Sequence, residues 1–185
     1  RKDYIYHPAS GEDLSPASRR EVETMARKQK GAYDVQILIS DGLNAYALMN
    51  DGQLTAYLAS IDRELAKQGL RSARSWLVLT QGRVRAGYRI GEILFGDLGT
   101  NQKPRTIIHL IGERPGGTIH NTFSAYITTA GSKTWSQRGK VDHDITKVVS
   151  GIANSAMAPS LAAAETVRLI SELSSALGAG KGHWT

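Results

Sequence analysis

Three short stretches place a charge beside glycine: Ser40-Asp41-Gly42, Gly82-Arg83-Val84 and Gly112-Glu113-Arg114-Pro115-Gly116-Gly117. A carboxylate such as Glu113 offers two acceptor oxygens, which suit the paired hydroxyls of a ribose or a row of amide N–H donors. Glycine beside it lets the backbone turn tightly or approach a ligand closely. An alternative is structural, with Glu113 pairing to Arg114 or Arg83 to close a sheet edge. For any one loop both accounts stand; three such loops together favour a ligand crevice.

Other chemistry has less support. The sequence contains no GxGxxG, Walker or G-x-S-x-G pattern, which argues against a self-contained nucleotide-dependent enzyme or hydrolase. Asp142-His143-Asp144 resembles a metal cluster, but three consecutive side chains cannot all face one ion from a regular element, so a solvated turn is expected. His109 lies inside an apolar run and reads as a hydrogen-bonded core histidine, while His7, His120 and His183 fall in loops or tails. No residue is singled out as catalytic and none as a metal ligand.

The elements that would position the three loops can be read from periodicity. Ser15-Pro16 starts a helix that runs through Arg19–Lys30 to Gly31 and buries a thin stripe of Val22, Met25 and Ala26. Asp34–Ser40 is a β-branched strand leading into the first loop. Leu54, Tyr57, Leu58, Ile61 and Leu65 recur at helical spacing, closed by Gly69. A second strand near Ser75–Thr80 ends in the Gly82 loop, and a short amphipathic stretch, Ile90–Phe95, precedes a third strand, Arg105–Ile111. This alternation predicts an α/β fold: a Rossmann-like open, mostly parallel sheet with helices on both faces, whose post-strand loops share one edge. Ser124–Thr129 alternates like a further strand, and Ile145–Ile152 has no clear assignment. Pro159 opens a long helix with an expected buried stripe of Leu161, Ala164, Val167, Ile170 and Leu173, and the tail from Gly178 is expected to fray. The organisation expected is an N-terminal arm and helix, 1–30, followed by one domain, 31–185.

Bulk properties agree. The 185 residues, 41% hydrophobic and 22% charged, suit a globular chain with a sizeable core. The formal charge of +6 is dispersed and does not interleave with aromatics, so a solvated basic face or an anionic partner is expected rather than nucleic acid. No run has the length of a membrane span. The absence of cysteine fits a reducing cytoplasm. The chain opens at Arg1, so residues upstream of this numbering are expected.

The loops also resemble a family. "DVQILISDGLNA" (Asp34–Ala45), "GRVRAGYRIGEILFG" (Gly82–Gly96) and "LIGERPG" (Leu110–Gly116), in this order and spacing, are similar to the light (small) chain of ethanolamine ammonia-lyase. The resemblance is good over 34–116, weaker to about Leu169, and before Asp34 rests on "DLSPASRREV" (Asp13–Val22). It implies a Rossmann-like subunit that covers adenosylcobalamin on a large (heavy) chain in a hetero-oligomer. That enzyme converts ethanolamine to acetaldehyde and ammonia by a radical route, in the cytoplasm or inside a bacterial microcompartment.

Carried over position by position, the resemblance implies cofactor contacts at Val84 and Glu113, with Arg83 as a neighbouring contact. The family's third position is a cysteine in a Cys-Ile-Ser-Asn-Ile segment; its counterpart here, Val148-Val149-Ser150-Gly151-Ile152, places Val148 there. A small apolar side chain is expected to replace a buried thiol by packing. The run after Gly116, "GTIHNTFSAYITTAGSKTW", departs from the family, although Ser124-Ala125-Tyr126 keeps part of it. These departures leave open a lyase for another small amino alcohol, or a Rossmann-like binding or regulatory subunit without lyase activity.

Overall fold

A computed structural model describes residues 11–49, 52–99, 102–113 and 121–178. Among these, five strands form one open sheet in the order β2-β1-β3-β4-β5. They are β1 (Val35–Ser40), β2 (Leu77–Leu79), β3 (Arg105–Gly112), β4 (Phe123–Ala130) and β5 (Thr146–Ile152). The expected mostly parallel sheet is corrected: β2-β1-β3 is parallel, but β4 runs antiparallel to β3 and β5 antiparallel to β4. The reason lies in the connections. A parallel step needs a crossover of a dozen or more residues with a helix, whereas 113–122 is short enough for the chain to turn straight back. The segment left unassigned from sequence, Ile145–Ile152, is the edge strand β5; its burial alternates irregularly because one side of it faces no helix.

Helices cover both faces. α1 (Pro16–Lys28) begins as expected, with the Ser15 hydroxyl accepting from Ser18 N–H and Pro16 in the first turn. α2 (Tyr46–Met49) is a single turn, followed by α3 (Gln53–Lys67). α4 (Val84–Phe95) extends six residues further toward the N-terminus than the amphipathic stretch read from Ile90. Two glycines, Gly87 and Gly91, hid its first turns from propensity. α5 (Ser132–Trp135) is short, and α6 (Pro159–Gly178) is long.

One core lies between the sheet and α3 with α6, built from Ile37, Ile39, Ile108, Leu110, Ala125, Ile127, Tyr57, Ile61 and Val167. The other lies between the opposite face and α4, with Leu38, Ile107, Tyr88, Ile90, Phe95 and Trp135, over which α1 packs through Val22, Met25 and Ala26. The buried stripe of α6 differs from expectation. Leu161 is 67% exposed and Ala164 is exposed, while Ala162, Ala163, Thr166, Val167 and Ile170 are buried. Small residues there let α6 approach α3 closely enough for Thr166 Oγ1 to meet Tyr57 Oη at 2.8 Å. The residues 1–10, most of the Gly112–Gly117 loop beyond Glu113, and the tail from 179 lie outside the described residues.

Candidate functional site

Because β2, β1 and β3 are parallel, their three following loops do share one edge, as expected. Strand order reverses between β1 and β3, where such sheets usually hold ligands. Here that crevice is filled by the chain itself. Leu43 N–H donates to the Gly112 carbonyl at 2.9 Å. A Cβ on Gly42 would strike Gly112 and Ile111, one on Gly112 would strike the Asn44 carbonyl, and one on Gly82 would lie 2.5 Å from the Ser40 Cβ. The glycines expected to admit a ligand instead admit each other's loops. Arg83 takes part in the same closure: its Nη1 donates to the carbonyls of Gly42 and Gly82, each at 2.8 Å. On the far side, buried Gln53 ties Ala47 and Asn121 together, and Asn44 bonds Asn121 at 3.2 Å.

The remaining matched positions lie on or beside the sheet face next to the first turn of α4. Register places Leu77, Leu38, His109, Tyr126 and Val148 in one row across β2-β1-β3-β4-β5, all on that face. His109 of β3 and Leu38 of β1 lie under α4. Toward the far end of β5, Tyr88 Oη meets His143 Nδ1 at 3.0 Å and receives a hydrogen bond from Thr146 at 3.1 Å, which closes the lower part. Val148 is exposed, whereas Tyr126 and Glu113 are partly buried. Tyr126 is the one position of β4 that is not fully buried. Its hydroxyl donates to Glu113 Oε1 at 3.0 Å. This is the partner the carboxylate has among the described residues; Arg114, the other candidate from sequence, lies outside them.

Val148 is 45% exposed on the edge strand, in register with Tyr126. Within this chain alone, the side chain expected to replace a buried thiol by packing is only partly covered. Full burial of a valine stabilises by about 1.5–3 kcal/mol, of which this side chain realises roughly half. Val84 is not in a loop but at the first position of α4, half-buried against the second core. The cap residue is Arg83, which makes no side-chain cap bond.

His109 is the buried neighbour of Tyr126 in the row, 2% exposed. Its Nε2 and Ser40 Oγ lie 2.9 Å apart, which bears out the hydrogen-bonded core histidine expected. A Cβ on Gly87 would come within 2.8 Å of Nδ1, so α4 sits directly on the ring. Burial pushes the imidazole down to about 4, opposed by the Val84 backbone. Nδ1 itself makes no full hydrogen bond. The ring is neutral at physiological pH. It carries the first turn of α4, and with it Val84, at a fixed height over the sheet.

The four positions implied by resemblance thus separate into two sets. Tyr126 links Glu113, through its hydroxyl, to Val148, its register partner, and Val84 lies near this row through His109. Arg83 is turned to its own loops. Tyr126 was not singled out from sequence; the available signal was an aromatic hydroxyl at the outward position of an otherwise buried strand. Gln53 carried no signal, being a lone amide at a helix start. Asp142, His143 and Asp144 form a turn in which Asp142 bonds its neighbour's N–H and pairs with Arg85 at 3.1 Å. No group of acidic and histidine side chains that could hold a metal occurs among the described residues. Among them, too, no helix is long and apolar enough to cross a membrane.

The donor set suits a large amphipathic group approached from its rim. Glu113 supplies an acceptor for amide or hydroxyl donors, and Val148, the Tyr126 ring and Val84 supply apolar contact. Cobalamin, with its amide-bearing rim, is compatible with this set.

Comparison with known proteins agrees with the residues. Residues 1–181 match the family described as ethanolamine ammonia-lyase light chain (EutC). The ethanolamine ammonia-lyase small subunit of Pseudomonas putida (strain W619) is 31% identical over 130 residues, 70% of this chain and 44% of that protein. The small subunit of Xanthomonas campestris pv. campestris (strain ATCC 33913) is 32% identical over 127 residues, 69% of this chain and 43% of that protein. The matched stretch spans less than half the length of these relatives. With the three loops in family order and the match running almost end to end, the chain belongs to the ethanolamine ammonia-lyase light chain family.

Proposed function

We propose that this chain is the small subunit of an adenosylcobalamin-dependent ammonia-lyase acting on ethanolamine, and that it holds the cofactor against a large catalytic subunit. The observation that carries this reading is that Tyr126 hydrogen-bonds Glu113 and stands in register with Val148, which is 45% exposed on the edge strand. Glu113 accepts hydrogen bonds from the cofactor's polar rim, while Val148 and Val84 pack against its apolar body. Bound adenosylcobalamin supplies radical initiation through its cobalt–carbon bond, and the protein supplies binding and exclusion of water. The large subunit holds the substrate. A fixed first turn of α4, seated on neutral His109, keeps Val84 in place with little reorganisation on binding.

The experiment is to mix the chain with its large partner and adenosylcobalamin. A stable complex that retains the cofactor through gel filtration and releases acetaldehyde and ammonia from ethanolamine is expected. A chain that never co-purifies with a large subunit sinks the reading. A complex that forms and binds cobalamin but turns over a different amino alcohol corrects the substrate alone.

A further inference from the structure

We propose that Tyr126 is a positioning residue for Glu113: it draws the carboxylate back over the sheet and fixes which oxygen is left for the ligand. The inference rests on the assignment of Glu113 as a cofactor contact and adds a residue that the family resemblance does not supply.

The geometry is in the register. Tyr126 pairs with His109, and Glu113 lies four residues further along the chain from His109. At about 3.3–3.4 Å per residue, that separates the two positions by roughly 13 Å along the sheet. Yet Tyr126 Oη and Glu113 Oε1 are 3.0 Å apart. Both side chains must therefore lie down along the face and point toward each other. Between them is the row Ile111–Ser124, with Ser124 1% exposed. A small side chain at Ser124 leaves room for the Tyr126 ring above it. Without the hydroxyl, Glu113, the first residue past β3, is free to swing toward solvent. With it, Oε1 is occupied and Oε2 is the oxygen left for the ligand.

The test is a double-mutant cycle on the assembled two-subunit enzyme, read as the affinity for adenosylcobalamin, with melting of the cofactor-free chain as a control. Tyr126→Phe keeps the ring and should weaken cofactor binding about tenfold, the loss expected for one hydrogen bond to a charged group. It should leave the melting temperature of the free chain within about 2 °C, a ΔΔG below roughly 0.5 kcal/mol. In a Glu113→Ala background the same substitution should have no further effect, because the group being positioned is gone. Glu113→Gln retains an acceptor for Tyr126 and should keep part of the coupling. Equal losses in both backgrounds would make Tyr126 a direct ligand contact and overturn the positioning role. So would full affinity in Tyr126→Phe while Glu113→Ala binds weakly. Full affinity in Glu113→Ala would sink the cofactor role of Glu113, and the positioning role with it.

Discussion

At the residue scale, His109 and Glu113 show opposite uses of a polar group near the same surface. His109 is sealed, hydrogen-bonded to Ser40 and held neutral, with burial pushing its pKa down to about 4. An unfolded histidine titrates near 6.5. Between these values the unfolded chain binds more protons than the folded one, so stability is fully present above about pH 6.5 and is lost as pH falls toward 4. A decline on the order of 2–3 kcal/mol across that window is expected from this group. His109→Asn should flatten the dependence, which chemical denaturation from pH 7 to 4 will measure; an unchanged slope would refute the buried-neutral assignment. Glu113, by contrast, is only partly buried, one residue past the end of β3, and carries little of the fold. Glu113→Ala should weaken cofactor retention by the assembled enzyme by roughly 1–3 kcal/mol and leave folding intact. If the midpoint of unfolding collapses while cofactor affinity holds, Glu113 is a structural residue.

At the element scale, glycine decides how the loops meet. Gly112→Ala would place a methyl group on the Asn44 carbonyl, and backbone cannot swing aside as a side chain can. Overpacking of this kind costs about 1–3 kcal/mol or more. Urea unfolding should show that loss, and a neutral outcome would mean that the loops part readily. Leu161→Ser on α6 should change stability by less than about 0.5 kcal/mol, since the leucine is 67% exposed. A loss of 2 kcal/mol there would restore the stripe read from sequence. These elements also show what a sequence reveals. Strands β1 and β3 were legible as apolar, β-branched runs buried on both faces, and helix α3 by the period of its one buried face. The start of α4 was not, because Gly87 and Gly91 lower helix propensity where His109 and Trp135 require the close approach. The direction of β4 was not, because alternation gives a strand its faces but not its polarity. The candidate site was legible at Glu113 and Val148 through family resemblance. Tyr126, which joins them, became visible through register alone.

At the scale of the whole molecule, the sheet's two faces are closed unequally. One is buried along its length by α3 and α6; on the other, α4 closes the centre, and among the described residues the exposed side chain in the row of Tyr126 is Val148 on the edge strand β5. An edge touches a ligand from one side, so the chain alone should hold adenosylcobalamin weakly and the assembly with the large subunit should hold it tightly. Val148→Lys places a charge on that face. Equilibrium dialysis should then show at least a tenfold loss in the assembly, about 1.4 kcal/mol, with the melting temperature of the isolated chain preserved. A large stability loss instead would mean that Val148 belongs to the core. The interlocked loops carry a consequence for descent. Gly42, Gly82 and Gly112 each leave space that another loop's backbone or Ser40 occupies, so a larger residue at one demands a compensating shift at its neighbour. These positions are expected to be inherited as a block across the family, changing together or not at all. Val148, 45% exposed on the edge strand, meets no such backbone among the described residues, and is expected to vary independently of that block.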